Sequence, residues 1–311
     1  MTNDTIGVDI SKDHLDAYRM SDGESRRFAN DGAGHGAFMN WLSQPGVRIV
    51  YEPTGPYHRT FERRLANAGL ALVKVNPRQA RRFAEATGRL AKTDQLDAAM
   101  LARMGALLEL KARPVRSPIL NDLKDLHMAR EALVKNRTAA KNRAKTLTLA
   151  ILKRHNAGQL RQIECQMAAI EKEIMALIKA DPDLARRFDI LASIPGVAAI
   201  TAFALLIDMP ELGTLGQGQA ASLAGLAPIA RQSGNWTGRA FIRGGRANVR
   251  QALYMPALVA IRFNPDLKQK YDRLKANGKA AKVAITAIMR KLIVLANALL
   301  RDGRKWSPTL P

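Results

Sequence analysis

Thr5-Ile6-Gly7-Val8-Asp9-Ile10 reads as one buried β-strand with an acid near its end. A short, nearly continuous apolar run suits a strand covered on both faces. Working outward, Asp16 to Met20 and Ser25 to Ala29 read as its hairpin neighbours, the second turned by Ser21-Asp22-Gly23. A helix is predicted near Gly34 to Leu42, a strand at Arg48 to Tyr51, a helix at His58 to Ala68 and a strand at Leu70 to Val75. Pro77 opens the next helix, and Thr93 caps one that carries Asp94 and Asp97 on a single face. Three early strands followed by strand–helix alternation describe a mixed sheet with helices on its faces.

That α/β segment covers roughly 1–112. Residues 113–118, bracketed by Pro114 and Pro118, read as a linker. Two long helices follow within 113–182. In the second, Leu160, Ile163, Met167, Ile170, Ile174 and Leu177 form a 3,4-spaced coiled-coil seam; in the first, Arg130 and Arg137 interrupt a seam of Leu123, Leu126, Leu133 and Leu147. The pair suits either a hairpin packed within one chain or a dimerising coiled coil. The last segment, 183–311, is predicted to be mostly helical, with a flexible glycine-rich stretch at Gly213 to Gly218 and a loop around Ser233 to Arg246.

The charge balance narrows the partners. The 311 residues are 47% apolar, which excludes a disordered tail, and carry 49 Lys and Arg against 27 Asp and Glu, a formal charge of +22. A basic excess can serve solubility alone, but it also fits a polyanion, whose condensed counterions are released by each cation that meets a phosphate. The basic residues are spread along the chain rather than massed beside an apolar segment, which argues against a membrane surface. Aromatic residues are only 5%, few for a protein that grips single strands by stacking. The lone Cys165 excludes an internal disulfide and suits a reducing cytoplasm. Met1-Thr2-Asn3-Asp4 has no signal-peptide character, and the apolar stretch from Val197 to Ile207 is too short to span a bilayer.

In a chain short of acids, Asp9, Glu52, Asp94 and Asp97 stand out. If the strands of Asp9 and Glu52 lie side by side and parallel, both carboxylates emerge at one edge, and a helix bearing Asp94 and Asp97 can close over them. Four such carboxylates call for a cation, and Mg²⁺ suits oxygen ligands and substrate phosphate. Taken singly, each acid has a plainer reading: Asp9 a strand-end cap, Glu52 a salt-bridge partner, Asp94 and Asp97 helix-start acids favoured by the dipole. Ser233-Gly234 by itself reads as a turn. Its setting adds chemistry, because Arg231, Arg239, Arg243, Arg246 and Arg250 lie close in sequence and could hold phosphate while the serine hydroxyl attacks a phosphodiester. Ile194-Pro195-Gly196-Val197 reads either as a phosphate-facing helix-hairpin-helix turn through Gly196 or as a plain helix connector. The five histidines show no metal-ligand spacing.

Together these pieces carry a resemblance. Gly7-Val8-Asp9, Glu52-Pro53-Thr54-Gly55-Pro56-Tyr57, Val75-Asn76-Pro77, Lys92-Thr93-Asp94 with Asp97-Ala98, Ile194-Pro195-Gly196, Leu223 to Pro228, Ser233-Gly234 and Arg250 to Met255 occur in an order similar to the bacterial insertion-sequence transposases that join a DEDD, RuvC-like domain to a C-terminal serine domain, the bridge-RNA-guided recombinases. The resemblance implies a ribonuclease-H-like fold for 1–112, Asp9, Glu52, Asp94 and Asp97 as Mg²⁺ ligands, and Ser233 as nucleophile. It also implies that the two domains act together across subunits, while a structured noncoding RNA pairs with donor and target DNA. Guide pairing would relieve the protein of base readout.

The expected activity is therefore that of a cytoplasmic DNA recombinase, a dimer or tetramer, that cuts and rejoins strands through a phosphoserine. The alternatives are a RuvC-like structure-specific endonuclease using water as nucleophile, and a non-catalytic nucleic-acid-binding scaffold assembled through the coiled coil.

Overall fold

A computed structural model describes residues 4–42, 46–53, 55–88, 94–112 and 117–307, the side chains of 94–96 excepted. The chain divides into two compact units, 1–116 and 117–311.

The first unit is built on a five-stranded sheet: β1 (Thr5–Ile10), β2 (His14–Arg19), β3 (Ser25–Ala29), β4 (Arg48–Tyr51) and β5 (Ala71–Lys74), in the order β3-β2-β1-β4-β5. The first three strands pair antiparallel, whereas β1, β4 and β5 run parallel. The mixed sheet expected from the sequence is present, and β1 and β3 have the expected ends. Side chains alternate between two cores, as the period of a strand demands. Ile6, Val8, Ile10, Ile49 and Tyr51 pack with Phe38 and Trp41 of α1 (Gly32–Trp41) and with Phe61 and Leu65 of α2 (His58–Asn67). On the other face Val50 and Val73 pack with Ala80 of α3 (Pro77–Ala86) and with Met100, Leu101 and Met104 of α4 (Asp94–Leu107).

The second unit is helical, and its helix starts follow from local sequence. Asn76 in the first unit, then Asp181 and Asn264 in the second, each precede a proline and accept a backbone N–H from the first helical turn. The Asx carboxyl or amide oxygen satisfies an orphan donor, and Pro has none to satisfy. Helices α5 (Pro118–Ala144) and α6 (Ala150–Ala180) pack against each other within the chain. Their pairing is antiparallel: Asn156 Nδ2 donates to Ala140 O at 3.1 Å, and Arg130 Nε meets Glu171 Oε1 at 2.7 Å. Arg130, which breaks the seam in sequence, thus holds an ion pair and also lies over Phe203. Leu123, Ile174 and Ile178 share one core with α7 (Pro182–Ala192), α8 (Ala199–Asp208) and the later helices, so the helical middle is continuous with the C-terminal segment.

Three further details differ from the sequence reading. The stretch 213–218 is anchored rather than flexible: Asn297 accepts from Gly213 N at 2.9 Å and donates to Leu215 O at 2.7 Å, and α9 (Gln217–Leu223) begins inside it. The expected loop around Ser233 to Arg246 is the later part of a segment with four two-residue strands, β6 (Pro228–Ile229), β7 (Gln232–Ser233), β8 (Trp236–Thr237) and β9 (Phe241–Ile242). After α10 (Ala247–Ala252), α11 (Tyr254–Phe263) and α12 (Pro265–Ala276) comes α13 (Ala281–Asp302), the last helix among the described residues. By length and composition α13 could cross a membrane, which the 197–207 stretch cannot. Its Ile288, Met289, Leu292, Ile293, Ala296 and Leu299 are instead buried in the core of the unit.

Candidate functional site

The register of the sheet brings the first two acids together. In the parallel pair Gly7 lies beside Val50 and Val8 beside Tyr51. One step further sets Asp9 beside Glu52, the residue that follows β4. Alternation puts Asp9 on the face of Gly7, and Glu52 on the face of Val50, which is the face α4 covers.

Gly7 decides how close α4 comes. A Cβ built on Gly7 would lie 1.9 Å from Ala98 O and 2.5 Å from Ala102 N. Farther along the helix, a Cβ on Gly105 would meet Val50 Cγ2 at 2.4 Å and Thr5 Cγ2 at 3.2 Å. Arg48 also donates to Gly105 O at 3.0 Å. As α4 advances from 98 to 105, it therefore passes from Gly7 back toward Thr5. Its N-terminal turn, with Asp94 and Asp97, lies toward the Asp9 end of β1. The helix N-terminus carries partial positive charge, which favours carboxylates there.

Asp9, Glu52 and Asp97 are each half-buried. The side chain of Asp94 and the expected Thr93 cap lie outside the described residues. Among the described residues, no group of three His, Cys, Asp or Glu gathers closely enough to hold a metal ion. The carboxylate oxygens of Asp9, Glu52 and Asp97 are hard donors of the kind a divalent cation takes.

The structure adds a carboxylate that the sequence reading passed over. Asp16 is the direct cross-strand partner of Asp9, and Arg27 is in turn the partner of Asp16. Directly opposed residues share a face. Asp16 is only 4% exposed and is clamped by the Arg27 guanidinium at 2.8 and 3.1 Å. A charged row therefore crosses β3, β2 and β1 as Arg27, Asp16 and Asp9, and the continued register adds Glu52 just after β4. Its sequence signal is symmetry about the β1–β2 turn, since Ile10 and Leu15 also face each other.

On the opposite face, Tyr51 of β4 lies near polar groups of α2 and β5. Tyr51 is fully buried, and burial together with the nearby Glu62 carboxylate pushes its phenol pKa up. Lys74 Nζ meets Glu62 Oε1 at 2.7 Å, with His58 Nε2 3.7 Å from Glu62 Oε2. Burial, and then the Lys74 charge, hold the His58 imidazole below its ordinary value.

Ser233 belongs to the second unit. It is exposed and pairs with Trp236 across a two-residue connection, Gly234-Asn235. Gly234 has φ +54°, the positive value that glycine supplies at the first position of a type II′ hairpin loop. Behind this tip, Ile229 pairs with Phe241 and Pro228 with Ile242. Residues 228–242 thus form an exposed arm with the serine near its end. Trp236 is 59% exposed, and its ring lies where a Gly238 side chain would be.

The five arginines divide by task. Arg246 is forked onto Glu211 at 2.6 and 2.8 Å and donates to Asp208 O at 2.6 Å; the Glu211 carboxylate raises its pKa further. Arg250 donates to Gly244 O at 2.9 Å and braces the base of the arm. The Arg231 guanidinium lies 4.6 Å from the Phe241 ring centroid. Among the described residues, Arg239 and Arg243 have no partner within the chain and are exposed. Gly196, at φ +94°, closes the α7–α8 turn, and a Cβ there would meet Pro256 O at 2.7 Å. Close packing on α11 accounts for a glycine at this place.

A buried charged group surrounds Asp208, whose backbone oxygen accepts from Arg246. Lys124 donates to Asp208, and His127 Nε2 lies 3.4 Å from Asp208 Oδ2. Burial would raise the Asp208 pKa, but His127 and Lys124 outweigh it and hold the carboxyl below its ordinary value.

Comparison with known proteins identifies transposase relatives over both units. Residues 6–153 match a DEDD transposase family of the IS110 type, described as "Transposase", and residues 188–272 match one described as "Transposase IS116/IS110/IS902 family". The pilin gene-inverting protein of Moraxella bovis is 29% identical over 323 aligned positions, covering 98% of both chains. The insertion element IS110 uncharacterized 43.6 kDa protein of Streptomyces coelicolor is 34% identical over 53% of this chain and 40% of its own. The insertion element IS900 uncharacterized 42 kDa protein of Mycobacterium paratuberculosis is 32% identical over 46% of this chain and 39% of its own. The sheet order, the acids at the edge of β1 and β4, and two family matches spanning both units converge: the chain belongs to the IS116/IS110/IS902 family of transposases.

Proposed function

We propose that this transposase cuts and rejoins DNA strands through a phosphoserine at Ser233, assisted by Mg²⁺ at Asp9, Glu52, Asp94 and Asp97. The observation that carries the reading is the β1–β4 register, which sets Asp9 beside Glu52 under the N-terminal turn of α4. A bound divalent cation would neutralise the phosphodiester and polarise its phosphorus–oxygen bonds. The carboxylates supply oxygen ligands. Asp16, already neutralised by Arg27, tunes the charge beside Asp9.

At the arm, the Ser233 hydroxyl loses its proton as Oγ forms a bond to phosphorus. One backbone P–O ester bond breaks, and the released DNA oxygen takes up a proton. Arg239 on the arm and Arg243 just after it are exposed cations that can meet the charge that builds on the phosphoryl oxygens. The linkage conserves the energy of the broken ester, so a second DNA hydroxyl can rejoin without an external energy source. The name of the Moraxella relative, a pilin gene-inverting protein, supports this chemistry, since inversion needs strands cut and rejoined.

In this reading a structured noncoding RNA selects donor and target, and the active species is a dimer or tetramer. A chain with a formal charge of +22 suits the polyanion load of an RNA and two duplexes.

The test is a covalent trap. Protein, element-derived RNA and DNA are incubated with Mg²⁺ and resolved on a denaturing gel. The expected result is a protein–DNA adduct that Ser233→Ala abolishes and that omission of the RNA prevents. Cleavage with no adduct would instead establish a nuclease in which water attacks. Absence of cleavage with any divalent metal would establish a binding scaffold.

A further inference from the structure

The C-terminal helices carry a second concentration of positive charge, apart from the serine arm. From Arg273 to Arg301 the chain holds seven Lys and Arg and no Asp or Glu. α12 and α13 are joined by residues 277–280 and pack against each other. We propose that Lys270, Arg273, Arg290 and Lys291, on these two helices, form a DNA phosphate-binding patch. The proposal rests on the reading of the chain as a DNA-handling enzyme and adds a site to it.

Three observations support the patch. First, its charges are unpartnered. Four cations elsewhere in the unit are matched with acids: Lys124 with Asp208, Arg130 with Glu171, Arg246 with Glu211, Lys305 with Asp189. Asp272 is the one acid between Asp266 and Asp302, and Lys268 occupies it at 3.1 Å. Among the described residues, the four patch cations have no carboxylate partner.

Second, three of the cations act on the fourth, Lys270, across the packed α12–α13 pair. Partial burial, then the charges of Lys291, Arg273 and Arg290, hold the Lys270 ammonium below its ordinary value. Surfaces that serve only solubility intersperse both signs of charge. This one keeps like charges together at an energetic penalty, which a row of phosphates would convert into attraction.

Third, the patch is rigidly mounted. Ile288, Met289, Leu292 and Ile293 flank Arg290 and Lys291 in sequence and are buried in the core. The cations are therefore held on the outer side of a packed helix, and little side-chain reach has to be ordered on binding. The same burial argues against a lipid surface as partner, because the apolar side of α13 is already covered.

The experiment measures binding of the full-length protein to a short duplex DNA of arbitrary sequence across a range of NaCl. It uses the fourfold alanine variant of Lys270, Arg273, Arg290 and Lys291, the exposed pair Arg290→Ala/Lys291→Ala, and Lys270→Met. The expected result is at least about a tenfold loss of affinity for the fourfold variant, with the slope of log K against log salt shallower by about 0.9 for each phosphate no longer neutralised. Lys270→Met should raise the melting temperature while weakening binding, a pairing that a merely structural role would not produce. Ser233→Ala should bind with the native slope, and the fourfold variant should still form the covalent adduct at saturating DNA.

Native affinity and native salt slope in both multiple variants would overturn the patch while leaving the proposed chemistry intact. So would variants that lose binding to structured RNA or to anionic vesicles but not to DNA. A native protein that binds duplex DNA and forms no adduct would instead sink the serine mechanism and leave the patch standing.

Discussion

Arg27 matters to Asp16 more than its half-exposed side chain suggests. Asp16 is buried on the sheet beside Asp9, and the Arg27 fork neutralises it. Arg27→Ala would leave the buried Asp16 carboxylate without its cation, directly opposite Asp9. The expected cost is about 1–3 kcal/mol in urea denaturation, with a larger loss of strand cleavage than Arg27→Lys. A second prediction concerns His35, whose imidazole is fully buried and lies 2.8 Å from Asn30 Oδ1. Burial, then the Arg64 charge, hold its pKa below the ordinary 6.5. The unfolded chain therefore takes up a proton near pH 6.5 before the folded one does. The His35 contribution is fully present above that pH and is lost as pH falls from there toward the folded value. Thermal melting of the native protein should shift down between pH 7 and 5, and His35→Gln should flatten that part of the profile. Equal profiles would show that His35 does not set this pH dependence.

At the scale of elements, the seat of α4 on β1 is the most exposed to disruption. The atoms facing Gly7 are backbone, so no rotamer change can make room for a methyl group. Gly7→Ala must shift α4 and with it Asp97, next to Ala98. The expected destabilisation is about 1–3 kcal/mol by overpacking, accompanied by loss of cleavage. The 213–218 stretch offers a comparable test. Asn297→Ala removes a hydrogen bond to Gly213 N and one to Leu215 O from a residue that is 1% exposed. That should cost about 2 kcal/mol and raise amide exchange across 213–216 first. Unchanged exchange there would show that α9 holds the segment without Asn297.

For the whole molecule, charge is the governing quantity. With 49 basic against 27 acidic residues, affinity for DNA should fall steeply and linearly on a log–log salt plot, as counterion release requires. A flat response in a filter-binding titration would refute a phosphate-dominated interface. The native slope should exceed that of the fourfold α12–α13 variant, which divides the charge between places on the surface.

How far the sequence reached differed by element. β1 and β3 were legible to the residue because apolar runs and a turn marked them. The arm at 228–242 was not, because two-residue strands are too short to show a period. Asp16 was read as a strand residue without a role, since only cross-strand register pairs it with Asp9. Arg246 and Arg250 look in sequence like members of one phosphate cluster. In space they turn inward, to Glu211 and to the Gly244 carbonyl, because proximity along a chain does not set side-chain direction.

The sequence alone determined the alternating first segment, the basic excess and the acids worth watching, because these follow from residue type and local spacing. Only the tertiary structure decided that Asp9 stands between Glu52 and Asp16, that α4 runs back over Gly7, and which cations stay free of carboxylates. Those depend on strand register and helix packing, which are set by contacts between residues far apart in the chain.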